Sequence, residues 1–136
     1  MDIDMSCKIL IGEDDHEDQF ILEEYFSDNG VKDVVAFERN GRKVLDYLEQ
    51  LPQGEDLPKL IVLDLNMPIL NGTQTLFELK QHSRFSEIPV IIYSTSDNEH
   101  EKRKCINFGA VEYLVKPVSV DEGDKMVKRF LEFVAN

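Results

Sequence analysis

No apolar run in the 136-residue sequence approaches the roughly 20 residues that cross a bilayer; stretches such as Leu60–Leu63 and Val90–Tyr93 are among the longest. Basic residues are scarce, 15 Lys plus Arg against 27 Asp plus Glu, for a formal net charge of -12. A surface that acidic repels phosphate backbones and anionic lipid heads, which argues against direct nucleic-acid or membrane partners. Cysteine is nearly missing, and Cys7 and Cys105 stand almost a chain apart. That excludes a disulfide framework or a thiolate metal pair and reads as buried thiols of a reducing cytosol. A basic leader is absent too, because Met1–Ser6 is acidic and runs straight into Lys8–Gly12, so no signal peptide is visible and the expected location is cytoplasmic. No internal repeat or low-complexity segment occurs. With 42% hydrophobic and 31% charged residues, the chain suits one folded domain over 1–136, core at about 7–135, with no separate output domain.

What the sequence does contain is an alternation of strand-length apolar runs with amphipathic stretches. Lys8–Gly12 is a strand that ends in the acids Glu13, Asp14 and Asp15. A helix follows, with Phe20, Ile21, Leu22, Tyr25 and Phe26 apolar, stopped near Asn29-Gly30. Asp33–Glu38 reads as the second strand, and Val44, Leu48 and Leu51 space out a helix that ends before Pro52. Pro52–Pro58 is a polar connection. Leu60–Asp64 is apolar on consecutive residues, as expected of a strand covered on both faces.

Beyond it, Met67–Gly72 has turn chemistry and Thr73–Ser83 is helical, with Leu76, Phe77 and Leu79 inward. Ile88–Tyr93 forms the fourth strand and leads into Ser94-Thr95-Ser96. Capping-box spacing over Ser96–Glu99 opens a helix ending at Gly109, whose apolar residues are little more than Cys105, Ile106 and Phe108. Val111–Val115 is the fifth strand, Lys116-Pro117 follows, and Val127, Phe130, Leu131 and Val134 mark the last helix. Five strand–helix pairs with short connections give an α/β fold, a doubly wound parallel sheet with helices on both faces.

Such sheets work at the carboxyl ends of their strands. The residues that follow strands one, three, four and five are Glu13-Asp14-Asp15, Asp64, Ser94-Thr95 and Lys116. Singly, each has an ordinary use. Asp15 and Glu17 suit a helix N-terminus, Ser94 and Thr95 suit strand-end backbone groups, and a lysine is most often exposed. Together, clustered acids repel unless a cation is shared, and hard oxygen ligands in partial number suit Mg²⁺. Lys116 supplies a further counter-charge.

At this point the sequence resembles a known family. The acidic cluster, Asp64, Met67-Pro68, Gly72, Ser94 and Lys116-Pro117 are similar to the receiver domain of two-component response regulators, over Lys8 to Val134. The 30 residues from Asp64 to Ser94 and the 22 from Ser94 to Lys116 match its chemotaxis regulators. The connection around Pro52–Pro58 resembles the small stand-alone regulators partnered with bacterial phytochromes. The resemblance implies a flavodoxin-like sheet of order 2-1-3-4-5 flanked by five helices. It implies Asp64 as phosphoacceptor, and Glu13, Asp14, Asp64 and the backbone carbonyl of Asn66 as holders of Mg²⁺ or Mn²⁺, with Asp15 a competitor. Ser94 matches the switch hydroxyl, Lys116 the lysine that contacts the phosphoryl group, and Tyr113 the aromatic that turns inward on activation. Thr95 occupies a position usually filled by a small residue. Glu13 replaces the commoner Asp, and Gly12 an aliphatic residue.

The implied donor is a phosphohistidine on a sensor histidine kinase or histidine phosphotransfer protein. The implied output is a downstream protein reached through the face of helix 4, strand 5 and helix 5, and both a monomer and a homodimer are left open. The chain would be a phosphoacceptor rather than a conventional enzyme. A haloacid-dehalogenase-type phosphatase needs a second acid where Asn66 stands, and a flavodoxin-like phosphate loop is opposed by Glu13-Asp14-Asp15. The remaining alternative is a phosphorylation-independent pseudo-receiver.

Overall fold

Five short strands carry the fold: β1 (Ile9–Gly12), β2 (Val35–Glu38), β3 (Leu60–Asp64), β4 (Val90–Ser94) and β5 (Glu112–Val115). All pair in parallel in the order β2-β1-β3-β4-β5, the expected doubly wound sheet. This computed structural model describes residues 7–53 and 57–135. The acidic stretch Met1–Ser6 and residues Gly54–Asp56 of the polar connection lie outside the described residues.

The central strands β1, β3 and β4 are buried at every position, because each face has its own core. Leu10, Ile61, Leu63, Val90 and Ile92 pack with α2 (Gly41–Glu49), α3 (Gly72–Gln81) and α4 (Glu99–Asn107). Ile9, Ile11, Leu60, Val62 and Ile91 pack with α1 (His16–Asp28) and α5 (Val120–Val134). Alternation along each strand sends successive residues to opposite cores, which is why the runs read as continuously apolar.

Local chemistry sets the helix ends. Asp15, Asn40, Asn71, Asn98 and Ser119 each accept a backbone N–H of the first turn they cap. The first helix stops at Asn29-Gly30 as expected. Gly30 takes φ 74, and the Val31 N–H bonds Phe26 O across the closed turn.

Several expectations shift. Asp33 and Val34 belong to a 3-10 turn, Lys32–Val34, so β2 starts at Val35. Asn98, not Ser96, caps α4; the Ser96 hydroxyl instead accepts the Asn98 N–H at 3.2 Å in a turn of its own. Phe20 and Ile21 are exposed and α1 buries only Leu22 and Phe26, because α1 meets α5 along a single stripe. Phe77 also faces outward and meets the Phe108 ring, centroids 5.7 Å apart, bridging α3 to the end of α4 outside the core. Cys105 is buried, but Cys7 is only half-buried, its thiol donating to Ile9 O; both are free thiols. Among the described residues no helix is long and apolar enough to cross a membrane.

Candidate functional site

β1, β3 and β4 end at one edge, and the residues expected there converge. Glu13 is fully buried, Asp64 is 4% exposed and Ser94 is fully buried. Glu13, Asp14 and Asp64 each offer a carboxylate oxygen within 4.8 Å of the others. The Asp64 carboxylate accepts the Asn66 N–H at 3.1 Å on Oδ1 and the Lys116 ammonium at 2.9 Å on Oδ2. Gly72 makes this packing feasible. A Cβ there would stand 2.5 Å from Asp64 O and 2.9 Å from the Leu65 Cα, so only glycine lets α3 start this close to the end of β3. Between them the loop makes a γ-turn, Leu70 N–H to Pro68 O at 2.7 Å, with Ile69 at φ 69.

Lys116 is the electrostatic centre. Its ammonium donates to Glu13 Oε1 at 3.0 Å, Asp18 Oδ2 at 2.9 Å and Asp64 Oδ2 at 2.9 Å, which uses all three of its hydrogens. Burial works against its charge. The hydrogen bonds it donates to Asp64 and Asp18 and the fields of Asp64 and Glu13 outweigh that and hold it above the ordinary lysine range. Glu13 has the opposite balance. Desolvation pushes its carboxyl up to about 7, although the Tyr93 hydroxyl and the Asp15 N–H both donate to it.

Glu13, Asp18 and Asp64 thus gather around the Lys116 ammonium, and Asp14 stands beside Glu13 and Asp64. On the outer side Arg39 and Lys43 line a cavity of about 270 Å³ with Asp14. The excess of buried negative charge, made of hard oxygen donors with water access at Asp14, fits a divalent cation.

The other expected residues divide. Asp15 is exposed and caps α1, accepting the Asp18 N–H at 3.0 Å, and it is not among the clustered acids Glu13, Asp14 and Asp64. Thr95 is exposed and also lies outside the cluster. The Asn66 side chain is exposed while its backbone touches the site. Ser94 Oγ accepts the Ser96 N–H at 3.0 Å, and the Tyr113 hydroxyl donates to Ser96 O at 2.8 Å. The two residues matched to the switch therefore hold Ser96 of the β4–α4 loop, one by its N–H and the other by its carbonyl. Tyr113 is buried, at 8% exposure.

Two residues at this edge escaped the sequence reading. Asp18 reaches Lys116 from the first turn of α1. A signal for it existed, since Asp18, Leu22 and Phe26 share one stripe at i, i+4 and i+8, and an acid on the buried stripe of a helix needs a partner. Tyr93 bonds Glu13, and nothing in an apolar strand marks the aromatic whose hydroxyl reaches past the sheet edge.

Comparison with known proteins agrees with this geometry. The family model of the response regulator receiver domain matches residues 9–128. The response regulator Rcp1 of Synechocystis sp. is 30% identical over 92% of this chain and 86% of its own length. Among solved structures, the phosphorylated cyanobacterial phytochrome response regulator RcpA is 29% identical and superposes with a TM-score of 0.81 over 96% of this chain and 97% of that one. The Mn²⁺-bound form of Rcp1 is 29% identical with a TM-score of 0.77, over 93% and 92% of the two chains. A family match over most of the length, on a sheet whose carboxyl edge gathers these acids around one lysine, leads to one conclusion: the chain belongs to the response regulator receiver domains, the phosphoacceptors of two-component signalling.

Proposed function

We propose that Asp64 is the residue that takes the phosphoryl group, from a phosphohistidine on a histidine kinase or phosphotransfer protein of the cytoplasm. One observation carries the reading: the Asp64 carboxylate is nearly buried at the end of β3, with an ammonium at 2.9 Å and carboxylate oxygens of two further acids within 4.8 Å. Phosphoryl transfer needs positioning and charge stabilisation more than covalent machinery. An Asp64 oxygen attacks phosphorus as the phosphorus–nitrogen bond to the donor imidazole breaks, and the imidazole leaves with the electron pair. Lys116, already on Asp64, follows one phosphoryl oxygen, while Glu13 and Asp18 hold the other two hydrogens of its ammonium. Glu13, Asp14, Asp64 and the Asn66 carbonyl would hold Mg²⁺ or Mn²⁺, which supplies neutralisation of the phosphoryl oxygens. The likeness to RcpA and Rcp1 supports a phytochrome-type kinase as donor.

Readout passes through Ser94. A phosphoryl oxygen is a strong acceptor for the Ser94 hydroxyl, and drawing that hydroxyl across alters the loop held through Ser96 by Ser94 and Tyr113. The affected surface is α4, β5 and α5, where Ile106, Val111, Val115 and Val118 are exposed and open to a downstream protein.

Incubation with acetyl phosphate and Mg²⁺, read by intact mass, tests the assignment. Wild type should gain one phosphoryl group, and Asp64→Asn should stay folded and gain none. Labelling of the variant, or full labelling of wild type in excess EDTA, overturns it. A wild type that never labels points to a phosphorylation-independent module instead.

A further inference from the structure

Tyr93 belongs to two environments. It pairs in register with Asp64, and alternation along β4 turns it with Ile91 into the core under α1 and α5, away from Ser94. Its ring is 1% exposed among Leu22, Phe26 and Ile91. Any large apolar side chain would satisfy that core. The hydroxyl does something else, since it reaches the carboxyl edge and donates to Glu13 Oε1.

Lys116 donates to that same oxygen at 3.0 Å and sits 4.8 Å from the Tyr93 ring centroid, so one side chain supplies both a donor to the acid and a floor to the ammonium. The Asp15 N–H takes one position on Oε2, at 3.1 Å. A carboxylate oxygen has two lone-pair directions. Those of Oε1 are both engaged, and the one acceptor position left on Glu13 is on Oε2. Without the phenol, Oε1 keeps a single donor, and the carboxylate is free to rotate about its last bond.

We propose that Tyr93 is a positioning residue of the metal site, its hydroxyl locking Glu13 so that the free acceptor position of Oε2 serves the cation or a water of its shell. The inference rests on the cation reading above. Partners that orient metal-binding groups are generally worth about 10- to 100-fold in affinity.

Calorimetric titration with Mg²⁺ compares wild type, Tyr93→Phe and Tyr93→Leu, alongside the near-ultraviolet tyrosine absorption of the wild type on Mg²⁺ addition. The chain has four tyrosines and no tryptophan, so the spectrum reads phenols alone. Tyr93→Phe keeps the ring and should bind Mg²⁺ roughly tenfold more weakly, with Tyr93→Leu no tighter than Phe. Wild type should show a Mg²⁺-induced tyrosine difference spectrum that Tyr93→Phe loses and Tyr47→Phe keeps, which a mere packing role would not produce. Affinity within about twofold of wild type in Tyr93→Phe, or no tyrosine signal in a wild type that binds Mg²⁺, overturns the role of Tyr93 alone. A wild type that takes up no Mg²⁺ at all overturns the cation reading and this inference together.

Discussion

Lys116 and Lys102 are both flanked by acids, and they live in different worlds. The Lys116 ammonium stands 2.9–3.0 Å from Glu13, Asp18 and Asp64 with 14% of its side chain exposed. Lys102 stands 3.8 Å from Asp97 and 3.7 Å from Glu99 with 38% exposed. Two helices that share one core, α2 and α4, also differ in how firmly they are held. α2 and α4 have nine residues each; α2 buries Gly41, Val44, Leu45 and Leu48, whereas α4 buries Cys105 alone. At roughly 1.5–3 kcal/mol per fully buried large aliphatic side chain, α2 is anchored several times more firmly. One region is thus a charged cluster fixed by three short ion pairs. The other is a helix held by its cap, one thiol and the Phe77–Phe108 contact. A signalling fold needs both, because a phosphoryl group can displace only what is weakly held.

The largest effect that tests this contrast comes from making the same substitution in both places. Lys116→Met leaves Glu13 and Asp64 buried without their cation and should lower unfolding free energy by about 3 kcal/mol at pH 8 in EDTA. Lys102→Met should change it by less than about 0.5 kcal/mol. Urea unfolding measures both, and equal losses would remove the distinction between the pocket and the α4 surface.

A smaller effect belongs to the pocket alone. The Glu13 carboxyl is raised from an ordinary 4.5 to about 7 in the folded protein, mainly by desolvation. The folded state therefore holds this proton more tightly than the unfolded chain does. Its contribution to stability is complete below about pH 4.5 and is lost as pH climbs through about 7. Metal-free protein should lose on the order of 2–3 kcal/mol between pH 5 and pH 8 from this group. Glu13→Gln, which has no proton to lose, should flatten the profile. A slope that survives the substitution would place the titration elsewhere.

The smallest effect lies on the α4 side. Binding of beryllofluoride with Mg²⁺ should change amide exchange over Glu99–Asn107 and at Tyr113 by about 1 kcal/mol, while Gly41–Glu49 stays as it was. Changes confined to the neighbourhood of Asp64 would disconnect the site from the proposed output surface.

Much of the architecture was legible before any coordinates, for a simple reason. Each central strand is buried on both faces and so appears as an unbroken apolar run, and the chemistry at its end is adjacent in the chain. Glu13, Asp64, Ser94 and Lys116 could be assembled from the single rule that such strands end at one edge. Helix faces were read less well. Phe20, Ile21 and Phe77 are apolar yet exposed, because which stripe of a helix meets the sheet depends on where its neighbours leave room. Cap positions slipped for a related reason: Ser96 and Asn98 can both accept an N–H, and only the path of the β4–α4 loop selects between them.

The sequence by itself determined the order of elements, the acidic balance and the residue types delivered to the carboxyl edge, since all of these follow from local pattern and chain adjacency. Packing alone settled that Asp15 caps α1, that Asp18 and Tyr93 reach the sheet edge, and that Ser94 and Tyr113 both hold Ser96. Those relations join residues as much as 98 positions apart through single hydrogen bonds near 3 Å. A bond that short is set by how helices and strands dock, and docking is a property of the whole packed core rather than of any one segment.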